Sequence, residues 1–237
     1  MKILVYGSKG WIGGQFIEIM KKTDLVECVD FVLGTARVNN IQAVKKEIED
    51  TEPTHIISFI GRTHGTIGDK KYTTIDYLEQ KGKINDNVRD NLFSPISLAL
   101  ICKEKGIHYT YLGTGCIFKF DEEHPFGKPE NGFTEQSLPN FFGSGYSIVK
   151  GYTDQLMHFF ENSVLNLRIR MPITGEVNGR NFITKITTYE NICSIPNSMT
   201  VLPELLPKVL DMMKKNVTGT LNLTNPGLIS HNEMLEM

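Results

Sequence analysis

The chain has 237 residues, 40% of them apolar and 22% charged, with a formal net charge of −2. This is the composition of a soluble globular protein, long enough for one α/β domain with a smaller lobe. The near-neutral balance gives no reason to expect a nucleic-acid polymer or an acidic membrane as partner, and no apolar run approaches the length of a bilayer span.

The four cysteines, Cys28, Cys102, Cys116 and Cys193, are widely spaced. They form neither a zinc-type C-x-x-C pair nor a dense disulfide framework. The N-terminus carries no signal-peptide core. A reducing, cytoplasmic setting without a metal site is the expectation.

Short β-rich apolar runs alternate with helical periodicity along the chain. In order, the pattern predicts a strand over 2–6, a helix over 11–22, a strand over 29–33, a helix over 41–48 and a strand over 55–60. A long helix follows over 85–105, kinked or broken by Pro95. Then come a strand over 107–112, a helix over 146–160, a strand over 165–169, a helix over 203–215 and a strand over 220–223. Strands separated by helices in this way build right-handed crossovers and a Rossmann-type doubly wound parallel sheet.

Two polar, Gly-containing insertions, 61–82 and 119–145, interrupt the alternation. Long loops at the carboxyl ends of parallel strands are where such sheets bind ligands. The expected division is a nucleotide-binding domain over 1–170, completed by a strand returning near 219–224, and a smaller substrate-binding lobe over 171–237. Ser230-x-x-Glu233 has the form of a capping box opening a helix too short to stand alone, so the chain is expected to be a piece of a longer protein.

The stretch "VYGSKGWIGG" sets Gly7, Gly10 and Gly13 between the first strand and the first helix. Glycines there let the backbone approach a pyrophosphate whose charge meets the helix N-terminus. The bland alternative is a turn that only tightens strand–helix packing. After the second strand, "VLGTARVNN" offers no acid to hold ribose hydroxyls but does offer Arg37, and Lys9 projects from the glycine loop. A basic residue at either place suits the 2′-phosphate of NADP. The cofactor-binding set is Gly7, Lys9, Gly10, Trp11, Ile12, Gly13, Arg37 and Gly61, together with Lys150.

In "GYSIVKG", Tyr146 and Lys150 stand one helical turn apart on one face. Reduction of a ketone needs a proton for the new alkoxide, and a phenol beside an ammonium can give it. The spacing alone is weak: Tyr77 and Lys81 share it, in the first insertion, where it reads as a solvated polar face. Only Tyr146 follows a strand whose end carries a hydroxyl, Thr114 in "GTGCIF". Cys116, two residues on, projects to the same side of an extended chain; alone, it would more often be a core residue.

Gly7, Gly10, Gly13, Thr114, Tyr146 and Lys150, in that order, resemble the extended short-chain dehydrogenase/reductase superfamily. "YGSKGWIGG", "GTGCIF", "RMPITGEVNGRNFITKI", "IPNSMTVLPELLP" and "NLTNPGLISHNEMLEM" are similar to the plant-type bifunctional nucleotide-rhamnose synthases, which are epimerase/reductases related to dTDP-4-dehydrorhamnose reductase. The 61–82 insertion departs from the plant pattern and suggests a divergent, viral-type counterpart.

The resemblance implies conversion of UDP-4-keto-6-deoxy-glucose to UDP-L-rhamnose with NADPH, by a homodimer. It implies Thr114, Tyr146 and Lys150 as the reductase triad, Asn91 as the helix residue holding that network, and Cys116 with Lys185 as the epimerase acid/base pair. Arg170 is expected near the substrate diphosphate, with Asn181 and Asn197 as further substrate contacts. Arg168 reads as structural, and His124 and His231 as loop histidines. A reductase alone, or a non-catalytic NADP-binding subunit, are the alternatives these motifs leave.

Overall fold

In the computed structural model, residues 1–22 and 29–237 are described; Cys28 lies outside them. Six strands form the central sheet: β1 (Lys2–Tyr6), β2 (Asp30–Leu33), β3 (His55–Ser58), β6 (His108–Thr114), β7 (Val164–Ile169) and β10 (Gly219–Leu223). All their pairings are parallel, in the spatial order β10-β7-β6-β3-β1-β2. The doubly wound sheet read from the sequence is present, returning strand included.

Alternation along β1 shows why both faces are covered. Ile3 and Val5 point into one core with Phe16, Met20 and Leu206, while Leu4 and Tyr6 point into the other with Val44, Leu98 and Tyr109. Helices α1 (Trp11–Lys22) and α7 (Leu202–Lys214) close the first face. Helices α2 (Ile41–Thr51), α4 (Ser94–Lys105) and α5 (Gly145–Met157) close the second. Helix α7 thus packs with the sheet, although the expected boundary at 171 sets it in the lobe. Outside the sheet domain lie the small pair β8 (Pro172–Ile173) and β9 (Thr200–Val201), with α6 (Phe182–Ile186) and α8 (His231–Glu236). No helix among the described residues is long and apolar enough to cross a membrane.

The first insertion is structured. It forms the antiparallel hairpin β4 (Gly65–Ile67) and β5 (Lys70–Tyr72), then a 3-10 turn over Ile75–Tyr77. Tyr77 is not part of a solvated face. It is 5% exposed, packs with Leu78 and Tyr146, and donates its hydroxyl to Asp86 at 2.6 Å.

The break expected at Pro95 takes a specific form. Helix α3 (Ile84–Val88) passes into α4 through a π turn over Arg89–Phe93. Pro95 has no N–H for the carbonyl four residues back, which is that of Asn91. The hydroxyl of Thr153, on α5, donates to that carbonyl at 2.7 Å instead.

Candidate active site

The sheet reverses direction about β1, which pairs with β2 on one side and β3 on the other. At such a switch point the loops leaving the strands part and open a crevice. The glycine turn sits there. Gly7 has φ +75°, and a Cβ on it would lie 2.9 Å from the Phe59 carbonyl carbon. A Cβ on Gly13 would lie 2.3 Å from the Gly7 oxygen. The bare turn is therefore required by close packing and leaves its backbone open to a phosphate at the start of α1. Lys9 and Arg37 are both exposed beside this mouth. The loop carrying Arg37 is braced by Glu47, whose carboxylate accepts from the Thr35 and Ala36 amides, the Thr35 hydroxyl and the Tyr6 phenol.

Beyond β3 in the sheet, β6 delivers Thr114 at its carboxyl end, with Cys116 just beyond. The Cys116 amide donates to the Thr114 hydroxyl at 3.1 Å. That hydroxyl lies close enough to the phenol of Tyr146 to influence its ionisation. Burial raises the Tyr146 phenol above its ordinary pKa and Cys116 adds to the rise, while Thr114 and Arg170 pull it back. Lys150 does not offset this rise. Lys150 donates its Nζ to the hydroxyl of Tyr111, on β6, at 2.5 Å. Burial pushes the Lys150 ammonium down to about 8, against the opposing pull of Asp154 and Cys116.

Asn91 reaches the site from the π turn. Its side chain accepts from the Arg62 amide at 2.8 Å and donates to the Arg62 carbonyl at 2.9 Å, fixing the turn after Gly61. Its own carbonyl takes the Thr153 hydroxyl, so one residue ties the end of β3 to α5.

The three residues expected at the substrate all have partners within the chain. Arg170, expected at a diphosphate, turns its Nη1 to the Cys116 sulfur at 2.8 Å, while Nε and Nη2 fork around Oδ1 of Asn197 at 3.1 and 3.0 Å. Asn197 is thereby the holder of Arg170. Asn181 is 2% exposed and spends its amide capping α6 and bonding Thr174 and Glu176. That leaves it a brace of the loop before α6.

Lys185, on α6, makes no hydrogen bond to Cys116 or Tyr146. Its surroundings are cationic: burial and then Arg180 lower its pKa. His64, on the insertion, is held down to about 4 by burial, Arg180, Arg62, Lys185 and Lys71. The insertion and α6 therefore lie within electrostatic reach of each other.

Arg168 is structural, as expected. It is 1% exposed, bonds Asp154 at 2.9 and 2.6 Å, and donates to the carbonyls of Thr134, Glu135 and Ser137. His231 opens α8, buried, edge-on to Phe182 at 5.0 Å, and His124 stacks on Phe133 at 4.0 Å. Tyr111 and Thr153 were not foreseen. No local signal set them apart, since β6 reads HYTYLGT and α5 GYSIVKGYTDQLM, with polar neighbours on both sides of each.

No family model matches the chain. It is 54% identical over 238 residues to protein L780 of Acanthamoeba polyphaga mimivirus, spanning all of this chain and 78% of the relative. The crystal structure of that protein, described as a UDP-rhamnose synthase, superposes with a TM-score of 0.91 over 100% of this chain and 79% of that one. A bifunctional dTDP-4-dehydrorhamnose 3,5-epimerase/dTDP-4-dehydrorhamnose reductase of Arabidopsis thaliana is 42% identical over 235 residues, 99% of this chain and 73% of the plant protein. A dTDP-4-dehydrorhamnose reductase of Clostridium acetobutylicum shares the fold at 19% identity, with a TM-score of 0.76 over 100% of this chain and 80% of that one. The chain belongs to the family of the rhamnose-forming 3,5-epimerase/4-reductases.

Proposed function

We propose that the protein inverts carbons 3 and 5 of UDP-4-keto-6-deoxy-glucose and reduces carbon 4 with NADPH, giving UDP-L-rhamnose. The observation that carries this reading is the convergence of the Thr114 hydroxyl, the Tyr146 phenol and the Cys116 thiol at the end of β6. The glycine turn, with Lys9 and Arg37 beside it, has the shape and charge to hold NADPH. When bound, that cofactor supplies the hydride for carbon 4.

The chain's own groups handle the protons. A ketone acidifies the hydrogens on both neighbouring carbons because the resulting carbanion is an enolate, and hydroxyl donors stabilise its oxygen. Thr114 and Tyr146 provide those donors. Cys116 and Lys185 take a proton from one face and return one to the other, inverting the carbon with no net redox change. In the reduction, Tyr146 donates its proton to the oxygen on carbon 4. Its raised pKa keeps that proton in place at neutral pH, which suits a donor.

We assign the cofactor half to 1–170 with 202–223, and the substrate lobe to 171–201 with 224–237. We also assign a cytoplasmic homodimer. Free Cys102, Cys116 and Cys193 suit a reducing compartment. Ile148, Tyr152, Leu156 and Phe159 form an exposed apolar stripe along the helix starting at α5, beside exposed Val88, Phe93 and Leu100. Contiguous apolar surface of that kind marks an association face.

The test incubates the protein with NADPH and UDP-4-keto-6-deoxy-glucose and identifies the sugar by NMR. UDP-L-rhamnose is expected. A 4-reduced sugar with carbons 3 and 5 uninverted would leave a reductase alone, and no NADPH consumption would overturn the assignment.

A further inference from the structure

Helix α5 carries Tyr146 and Lys150, and its first turn contains no acidic residue of its own. The four amides that open a helix have no partner within it and need acceptors from elsewhere. Here Ser144 supplies one, its side chain accepting from the Ser147 amide at 3.1 Å, while its carbonyl takes the first regular helical bond, from Ile148 at 2.9 Å. Two further acceptors come from the first insertion. Glu79 accepts from the Gly145 amide through Oε2 at 3.1 Å and from the Tyr146 amide through Oε1 at 3.3 Å. A Cβ on Gly145 would lie 3.3 Å from both carboxylate oxygens, closer than a side chain normally tolerates.

The insertion that lends this carboxylate is itself anchored. Tyr77 bonds Asp86 on α3, and Tyr77 and Leu78 pack on Tyr146, with Cys116 against the same cluster. From the other side, Ser147 donates its hydroxyl to the Cys116 carbonyl at 2.8 Å. The first turn of α5 is thus the point where the insertion, the phenol and the thiol-bearing loop are joined.

The geometry points to Glu79 as a positioning residue: by holding the Gly145 and Tyr146 amides it fixes the Tyr146 phenol in register with Cys116, and this is the work of the 61–82 insertion. The inference rests on the proposed epimerase/reductase reading. Glu79 touches no reacting atom. It acts through the helix.

The test compares the intact protein with Glu79→Ala and Glu79→Gln, the second keeping one acceptor oxygen. Three quantities are read: amide hydrogen exchange at residues 145 and 146, the alkylation rate of Cys116 by iodoacetamide, and kcat and KM for the keto sugar. In Glu79→Ala, exchange at the two amides should quicken about fivefold, the size of effect a lost helix cap gives. Cys116 alkylation should shift with it, and kcat should fall while KM stays. Glu79→Gln should restore most of each. Wild-type exchange in Glu79→Ala overturns the inference, and so does faster exchange with alkylation and kcat unmoved. A wild type without turnover would remove the reading it rests on, whereas exchange and alkylation would still decide the role of Glu79.

Discussion

The guanidinium of Arg170 reaches the sulfur of Cys116 at 2.8 Å while Asn197 grips it from behind. The arginine leaves the sheet at the end of β7, and Met171, at φ +40°, turns the chain sharply after it. Arg170 therefore places the thiol, and Arg170→Met should act on the inversion chemistry first. Deuterium uptake at carbons 3 and 5 in heavy water should drop by about tenfold or more, a loss of ~1.4 kcal/mol of transition-state stabilisation. Reduction of keto sugar already inverted at both carbons should fall less. Equal losses in the two assays would show that Arg170 serves the ketone end instead.

Lys150 sets a pH limit on the reduction. Its pKa is about 8, so the ammonium beside Tyr111 is present below that value and lost above it. Single-turnover reduction should fall as pH rises through about 8, and Lys150→Met should be slow at every pH with no such inflection. A wild-type profile that is flat from pH 7 to about 9 would exclude the role.

Gly13→Ala tests the cofactor turn. Its Cβ would be forced 2.3 Å from the Gly7 oxygen, where the only relief is backbone movement. NADPH titration by fluorescence should show binding weakened by about tenfold or more, since the turn can no longer present its amides. Gly14→Ala meets nothing closer than 3.6 Å and is the matched control, expected to bind normally.

Arg168→Ala should cost stability rather than chemistry. It would leave the Asp154 carboxylate, 3% exposed, without its cation and with the Asn166 amide as its remaining donor, and orphan three loop carbonyls. Removing one partner of a buried pair costs about 3–5 kcal/mol, readable in a denaturant melt. A loss under about 1 kcal/mol would place the pair among exposed ion pairs in energetic terms.

The rings of His55 and His108 meet at 5.1 Å, tilted by 40°, at the amino-terminal edge of the sheet. Burial lowers both pKa values, and for His55 the neighbouring His108 adds to it. As pH falls below the ordinary value near 6.5, the unfolded chain takes up protons that the folded one refuses. Stability is then fully present above about pH 6.5 and is lost as pH drops below it. His108→Gln, which keeps a donor for the Val217 carbonyl, should show a smaller fall in Tm between neutral pH and about pH 5. An equal fall in both proteins would assign the acid sensitivity elsewhere.

Local pattern carried much of the fold. The strand at 2–6 and the helix at 11–22 have the bounds read from apolar periodicity and the glycine turn between them, because both signals are short-range. The nearness of Thr114 and Cys116 was likewise readable from their spacing, although β6 ends at Thr114 and a turn, not an extended strand, carries Cys116. What stayed hidden depends on contacts distant in the chain. Glu79 lies 66 residues from Gly145, and Arg170 lies 54 from Cys116. Asn181 looked free for a ligand because nothing in its neighbours announces a side chain folded back on Thr174 and Glu176. Tyr77 misled by its motif. Its burial follows from a hairpin whose three-residue strands are too short to leave a period-two signature.

The brace that Glu47 makes beneath the loop after β2 has a thermodynamic meaning. Four donors are gathered on one carboxylate, so the segment bearing Arg37 is arranged during folding and not at the moment of encounter. A nucleotide arriving at that rim meets a surface whose disorder has already been removed, and less of its interaction energy is spent on freezing loop motion. On the proposed cofactor reading, binding at this edge of the crevice draws on hydrogen bonds already made in the free protein.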